Sequence, residues 1–239
     1  MSKEVYIISA VRTPLGSFGG KLAGLTAIEL GSTAIKGALA KSGVAPEAVN
    51  EVFMGNVISA NLGQAPARQA AIGAGIGYNV PCTTINKVCG SGLKAVMLAS
   101  DLLKAGSADV VVAGGMESMS NAPYLLDKAR SGYRMGHGQI KDHMMLDGLE
   151  NAYDGKAMGC FAQGTADEKG ITREQMDAFA VQSTTRAQQA IASGAFNNEI
   201  TPVTFQTRKG EMTFAVDEQP GNAKIDKIPS LRPAFAKDG

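Results

Sequence analysis

Charge of one sign is nearly missing from this sequence: 23 Lys and Arg face 22 Asp and Glu, for a formal net charge of +1. That excludes the basic excess a nucleic-acid or membrane-surface partner normally requires. Long hydrophobic runs are also missing. No stretch approaches the ~18–20 residues of a membrane span, and the first residues lead directly into a strand pattern without a signal-peptide layout. Cysteine is scarce, with Cys82, Cys89 and Cys160 an odd and widely spaced set. A disulfide framework is therefore not expected, and a reducing cytoplasm is the natural setting. Only two histidines occur, His137 and His143, with no cysteine at ligand spacing, so no zinc site is expected. Both read as surface or interface residues, and Cys82 and Cys160 as buried packing residues.

Glycine, by contrast, is abundant at 29 of 239 residues. That suits an enzyme built on loops better than a helical bundle. The first part of the chain reads as alternating strands and helices. Val5–Val11 is expected as a buried strand, stopped at Arg12-Thr13-Pro14. Thr26 and Glu29 form a capping box opening a helix that runs to about Lys41. Strands follow at Val52–Ile58, Thr83–Asn86 and Asp109–Gly115, with helices at Gln64–Ala74 and from Cys89 to about Ala105. Short apolar strands alternating with helices indicate an α/β protein with a mainly parallel sheet covered on both faces. Periodicity weakens after Met116. Helices resume near Cys160–Lys169, and Thr172 with Gln175 is a second capping box. Met176, Phe179, Ala180, Ser183, Ala187, Ala190 and Ile191 then trace one helical face. Ile200–Gln206 and Met212–Val216 read as a hairpin. The domain boundary is placed near Met116, giving 1–116 and 117–239.

The residue that carries chemistry is Cys89, in Asn86-Lys87-Val88-Cys89-Gly90-Ser91-Gly92. A thiol where a strand gives way to a helix has the layout of a nucleophile. The helix start offers backbone N–H groups and a partial positive charge, which suit an anionic sulfur and the oxyanion formed on attack. Gly90 and Gly92 leave the approach free of side chains. The helix is apolar nearly all round (Leu93, Val96, Met97, Leu98, Leu102, Leu103), so it reads as central and buried. Against this stands a small buried cysteine starting a core helix. From the residues alone the two readings are evenly matched.

The Cys89 run resembles the acyl-enzyme motif of the thiolase family. So do Ser9-Ala10-Val11-Arg12-Thr13-Pro14 with Gly16, Gly55-Asn56-Val57, and Gly63-Gln64-Ala65-Pro66-Ala67-Arg68-Gln69-Ala70. Further along, Gly114-Gly115-Met116-Glu117-Ser118-Met119-Ser120, Asp177-Ala178-Phe179-Ala180 with Ser183, and Leu231-Arg232-Pro233-Ala234-Phe235 are similar too. The order is that of the family over essentially the whole chain, nearest to its biosynthetic members.

The resemblance implies an α/β thiolase-like core, incomplete in this sequence, followed by an inserted α+β loop domain that holds coenzyme A, with the second core domain absent from this chain. It implies an acyltransferase that joins two acetyl-CoA into acetoacetyl-CoA and CoA, or runs the reverse thiolysis, through an acyl-thioester on Cys89. It implies CoA as substrate and product, with no metal or redox cofactor. Leu149, Met158 and Phe235 match positions lining the pantetheine and acyl pocket. Met119–Leu146 matches a segment that makes a homotetramer contact. The sequence departs from many relatives at Ala157, where they have His before Met-Gly, and an Arg that stacks on adenine has no counterpart in Asp217–Gly221. The family's Gly-His-Pro and Cys-x-Gly motifs, which activate the nucleophile and shuttle the α-proton, do not occur in this sequence. The expected partner is accordingly a C-terminal half of the same enzyme, without which this piece would be inactive. The competing reading is a non-catalytic acyl-CoA-binding or scaffold piece with an inert or redox-sensing Cys89.

Overall fold

A computed structural model describes residues 3–239. Two compact units emerge. One runs through Pro123 and also takes Asn198–Val216; the other is Tyr124–Asn197 with Asp217–Gly239.

The first unit is organised around a parallel three-stranded sheet. Helix α1 (Ala27–Ser42) starts at the expected capping box. The Glu29 N–H donates to Thr26 Oγ1 at 3.2 Å, and the Thr26 N–H donates to Glu29 Oε2 at 2.8 Å. Such a cap is worth about 1 kcal/mol. Gly43 ends the helix at φ 69°, a left-handed position that glycine takes without cost. Strand β1 (Glu51–Gly55), helix α2 (Pro66–Gly73), strand β2 (Cys82–Ile85), helix α3 (Ser91–Lys104) and strand β3 (Val111–Gly115) follow. The strand order is β2-β1-β3, all parallel, with Gly55 opposite Ile85 on one side and Gly115 on the other.

Strand alternation assigns the two faces of β1. Val52 and Met54 are buried in the main core with Ile35, Leu39, Ala67, Ala70, Ala71 and Val80, on the α1 and α2 side. Phe53 and Gly55 point the other way, towards α3. A hairpin of β6 (Val203–Thr207) and β7 (Gly210–Phe214) belongs to the same unit. Its Val203 and Phe214 bury Leu22 in a second, smaller cluster.

The expected strand at Val5–Val11 does not form. No strand of the described residues includes it, and Tyr6, Ile7 and Ile8 are 71%, 79% and 64% exposed. An apolar run becomes a strand only when a neighbour supplies ladder hydrogen bonds. Here the backbone-to-backbone bonds begin beyond it, where Arg12 exchanges hydrogen bonds with Glu199 and Thr201; within the run the Ala10 carbonyl accepts from Lys41 Nζ at 3.2 Å.

The second unit holds a two-stranded antiparallel ladder of β4 (Tyr124–Leu125) and β5 (Lys141–Asp142), then a π-helical turn at Met145–Leu149. Helices α4 (Met158–Lys169), α5 (Arg173–Ala192) and α6 (Glu218–Asn222) complete it. The Thr172 and Gln175 capping box forms as expected. The face traced along α5 is only half-covered: no residue of α5 is buried, and Phe179 points outward at 72% exposure. His143 is not a surface residue. It is buried, with Nδ1 2.6 Å from Asp147 Oδ2 one turn on. No helix among the described residues is long and apolar enough to cross a membrane.

Candidate functional site: an exposed thiol at the end of the sheet

Cys89 lies on the short link from β2 to α3, at the C-terminal edge of the parallel sheet, and it is exposed. Ligands of open α/β sheets bind beyond this edge. The link is a tight structure. The Gly90 N–H donates to the Lys87 carbonyl at 3.1 Å, and the Ser91 N–H to the Val88 carbonyl at 3.0 Å. Val88 adopts φ 46°, the left-handed region that a β-branched residue rarely takes. Its N–H donates to Asn86 Oδ1 at 2.9 Å.

Two expectations change here. The amides of Gly90 and Ser91 are committed to carbonyls of the turn, so they are not the free donors expected of a helix start. Gly92 does not keep the approach to the sulfur clear: a Cβ on it would touch the backbone of Gly114 and Gly115 at 3.6–3.7 Å, an ordinary contact. The tight glycine is Gly55. A Cβ there would lie 2.7 Å from the Gly92 nitrogen and from two atoms of Ser91. Only a bare strand end lets α3 start this close to the sheet.

Helix α3 is also not the buried helix expected. Ser91, Ala95 and Ala99 are its buried residues, and it packs on the sheet. Leu93, Val96 and Met97 face away at 69%, 39% and 51% exposure. Small residues meet the sheet, Leu98, Leu102 and Leu103 are half-buried, and Leu93, Val96 and Met97 are left on the open side.

The strand ends around the thiol are locked by Glu117, which follows β3. Its carboxylate accepts from Asn56 Nδ2 at 2.7 Å and from the N–H groups of Val57 and Ile58, both at 2.9 Å. Asn56, 2% exposed, also donates to the Met116 carbonyl at 3.1 Å. The β1 and β3 exits are thus joined by one carboxylate. Sequence reasoning quoted both residues in motifs without seeing them as a pair. Charge-assisted bonds from three donors to one carboxylate are a signal only the fold supplies.

Leu149, Met158 and Phe235, the residues matched to a pocket by family likeness, all belong to the second unit. Glu150 pairs with Ala157 in an isolated antiparallel bridge, which sets Leu149 and Met158 beside one another at the start of α4. Gly159 follows, and a Cβ on it would overlap the ring of Phe235. Leu149 is half-buried; Met158 and Phe235 are 46% and 53% exposed.

Of the other cysteines, neither is fully buried. Cys82 and Cys160 are both half-exposed. Burial pushes the Cys82 thiol above an ordinary thiol's range, opposed by the Arg68 charge and reinforced by Glu51. Among the described residues, no group of three or more His, Cys, Asp or Glu side chains is placed to hold a metal ion.

The thiolase N-terminal domain family matches residues 5–239. The chain belongs to the thiolase family. Acetyl-CoA acetyltransferase of Schizosaccharomyces pombe is 52% identical over 241 residues, covering 100% of this chain and 61% of the yeast protein. The acetyl-CoA acetyltransferase of Escherichia coli is 52% identical over 239 residues, again covering 61% of the relative. A crystal structure of a thiolase from Ascaris suum in complex with coenzyme A superposes with a TM-score of 0.92 at 40% identity, over 99% of this chain and 60% of that one. This thiolase chain thus spans about three-fifths of the length of the relatives it matches. The superposition confirms the expected α/β thiolase fold.

Proposed function

We propose that the protein containing this chain is an acetyl-CoA acetyltransferase working through Cys89. The observation that carries the reading is the exposed Cys89 at the C-terminal edge of the sheet, in a chain that matches enzymes of that name along its whole length. In the first half-reaction the Cys89 sulfur attacks the thioester carbonyl of acetyl-CoA and coenzyme A leaves as the thiol. In the second, another acetyl-CoA loses an α-proton, its carbon attacks the acetyl group on Cys89, the sulfur leaves, and acetoacetyl-CoA forms. Thiolysis is the reverse. A covalent thioester splits one difficult carbon–carbon step into two easier ones at little cost in energy. With the Gly90 and Ser91 amides committed to the turn, the Cys89 N–H is the donor assigned to the thioester oxygen.

The groups that activate the sulfur and take the α-proton are assigned to the C-terminal part of the enzyme, since neither of the family's motifs for them occurs in this sequence. Leu93, Val96 and Met97 are the side chains of α3 that such a part would cover. Coenzyme A is substrate and product, and the chemistry calls for no metal or redox cofactor. Leu149, Met158 and Phe235 are assigned to its pantetheine and acyl portions. The domain plan is a core half over 1–116 and a coenzyme A-binding and oligomerisation domain over 117–239, the hairpin within Asn198–Val216 of the latter packing in the same compact unit as the core half. The assembly is a homotetramer held in part by the segment up to Leu146, where Leu126, Met135 and Ile140 are exposed. The working compartment is the cytoplasm.

The test is acetoacetyl-CoA thiolysis by the full-length protein and its Cys89→Ala variant. Activity that Cys89→Ala abolishes, with stabilisation by coenzyme A retained, supports the reading. Thermal stabilisation by coenzyme A with no turnover in either protein would favour the binding-only alternative and overturn it.

A further inference from the structure

Ser91 stands two residues after Cys89 and is 4% exposed. A serine at a helix start ordinarily accepts from an amide further along the helix. This one reaches backward. Its Oγ accepts from the Lys87 N–H at 2.8 Å and donates to the Val88 carbonyl at 2.6 Å. The cap position itself is Gly90, and no side chain caps α3. The hydroxyl is therefore spent on the two residues that precede the sulfur.

Those residues need holding. Val88 is β-branched, stands at φ 46°, and is 52% exposed. A left-handed conformation is unfavourable for such a residue and persists only where its surroundings over-determine it. Packing does not supply that, because half of the side chain is in solvent. Hydrogen bonds do. Asn86 Oδ1 takes the Val88 N–H, and the Val88 carbonyl takes both the Oγ and the N–H of Ser91. Released from them, Val88 would relax to negative φ, and the next residue, Cys89, would swing with it.

We infer that Ser91 is a positioning residue for Cys89, its hydroxyl holding Val88 in the left-handed conformation that presents the sulfur. The inference rests on the reading of Cys89 as nucleophile and adds a residue that acts through the backbone, without touching substrate.

The experiment uses the full-length protein with Ser91→Ala, Ser91→Thr and the double variant Val88→Gly/Ser91→Ala. Two rates are read: single-turnover acetylation of Cys89 by acetyl-CoA, and alkylation of Cys89 by iodoacetamide with Cys160 as internal reference. Misplacing a reacting atom by a fraction of an ångström to 1 Å costs about ten- to a hundredfold. Ser91→Ala is therefore expected to slow acetylation at least about tenfold with KM for acetyl-CoA unchanged and Cys160 alkylation unaltered. Ser91→Thr, which keeps the hydroxyl, recovers most of the rate. Val88→Gly recovers part of it in the Ser91→Ala background, because glycine takes positive φ freely. A serine that merely stabilised the fold would not show that recovery. The double variant also carries the test if Ser91→Ala alone does not fold. Acetylation of Ser91→Ala within about twofold of the unaltered protein overturns the inference, as does a double variant no faster than the single one. If the unaltered protein never acetylates Cys89, the nucleophile reading fails, and alkylation decides positioning separately: an unchanged Cys89 rate in Ser91→Ala overturns it.

Discussion

Replacing Gly55 by alanine perturbs the thiol through the start of α3, without touching it. Gly55 is the last residue of β1, hydrogen-bonded between β2 and β3, so it cannot retreat without breaking the ladder. An alanine Cβ would stand 2.7 Å from the Gly92 nitrogen, the Ser91 carbonyl carbon and Ser91 Cβ. That is roughly 0.8 Å short of the ~3.5 Å at which such contacts become favourable. Two of the three atoms are backbone, so no rotamer change relieves the overlap. The start of α3 has to move outward, taking the Cys89 turn with it. Forced overpacking of this kind costs about 1–3 kcal/mol. A displacement of several tenths of an ångström at the nucleophile is expected to slow acylation roughly tenfold. Chemical denaturation and single-turnover acetylation of the full-length protein measure the two effects. Gly114→Ala is the control: one residue along β3 from Gly115, its Cβ would meet only Met54, at 3.5 Å. It should lose less than about 1 kcal/mol and keep its rate. A Gly55→Ala protein as stable and as fast as the unaltered one would refute the close-approach argument.

Further consequences can be measured on the same protein. In Glu117→Gln, an amide oxygen turned to Asn56 Nδ2 and Ile58 N–H leaves an NH2 facing the Val57 N–H, so an unmet donor should destabilise by about 1–3 kcal/mol in denaturant unfolding. Gly159→Ala displaces the Phe235 ring, which is half in solvent and free to swing away; KM for acetyl-CoA should rise with the melting temperature nearly unchanged. Burial raises the Cys82 thiol, so at about pH 8 less of it is thiolate than of a free thiol. Iodoacetamide should therefore modify Cys82 more slowly than a free thiol at that pH, the gap narrowing as alkali ionises it. The folded state also keeps this proton longer than the unfolded one, so the contribution of Cys82 to stability is present below the ordinary thiol range and falls as pH rises through and above it.

What the sequence revealed and what it hid divide along a physical line. Both capping boxes, Thr26 with Glu29 and Thr172 with Gln175, were legible because the reciprocal bonds lie within four residues. The three parallel strands were legible as short apolar runs between helices. Leu149, Met158 and Phe235 were singled out by family likeness alone; the Glu150–Ala157 bridge and the close approach of Gly159 to Phe235 beside them are contacts that only the fold shows. Failures came where an outcome depends on a neighbour. Val5–Val11 has the composition of a strand but no ladder partner among the described residues, and α3 has the composition of a buried helix but only one covered face. His143 gave no periodic signal, because it sits beside a π-helical turn that pairs it with Asp147. The direction in which Gly92 faces, the backward reach of Ser91 and the triple acceptor role of Glu117 are properties of packed backbone.

The central claim is that Cys89 carries the acyl group. Acid quenching of the full-length protein mixed with acetyl-CoA, followed by peptide mapping, tests it most directly. The account predicts one acetyl group on the peptide containing Cys89, none on Cys82 or Cys160, and its discharge on addition of coenzyme A. An unmodified Cys89 in protein that turns over, or an acetyl group found on another residue instead, would contradict it.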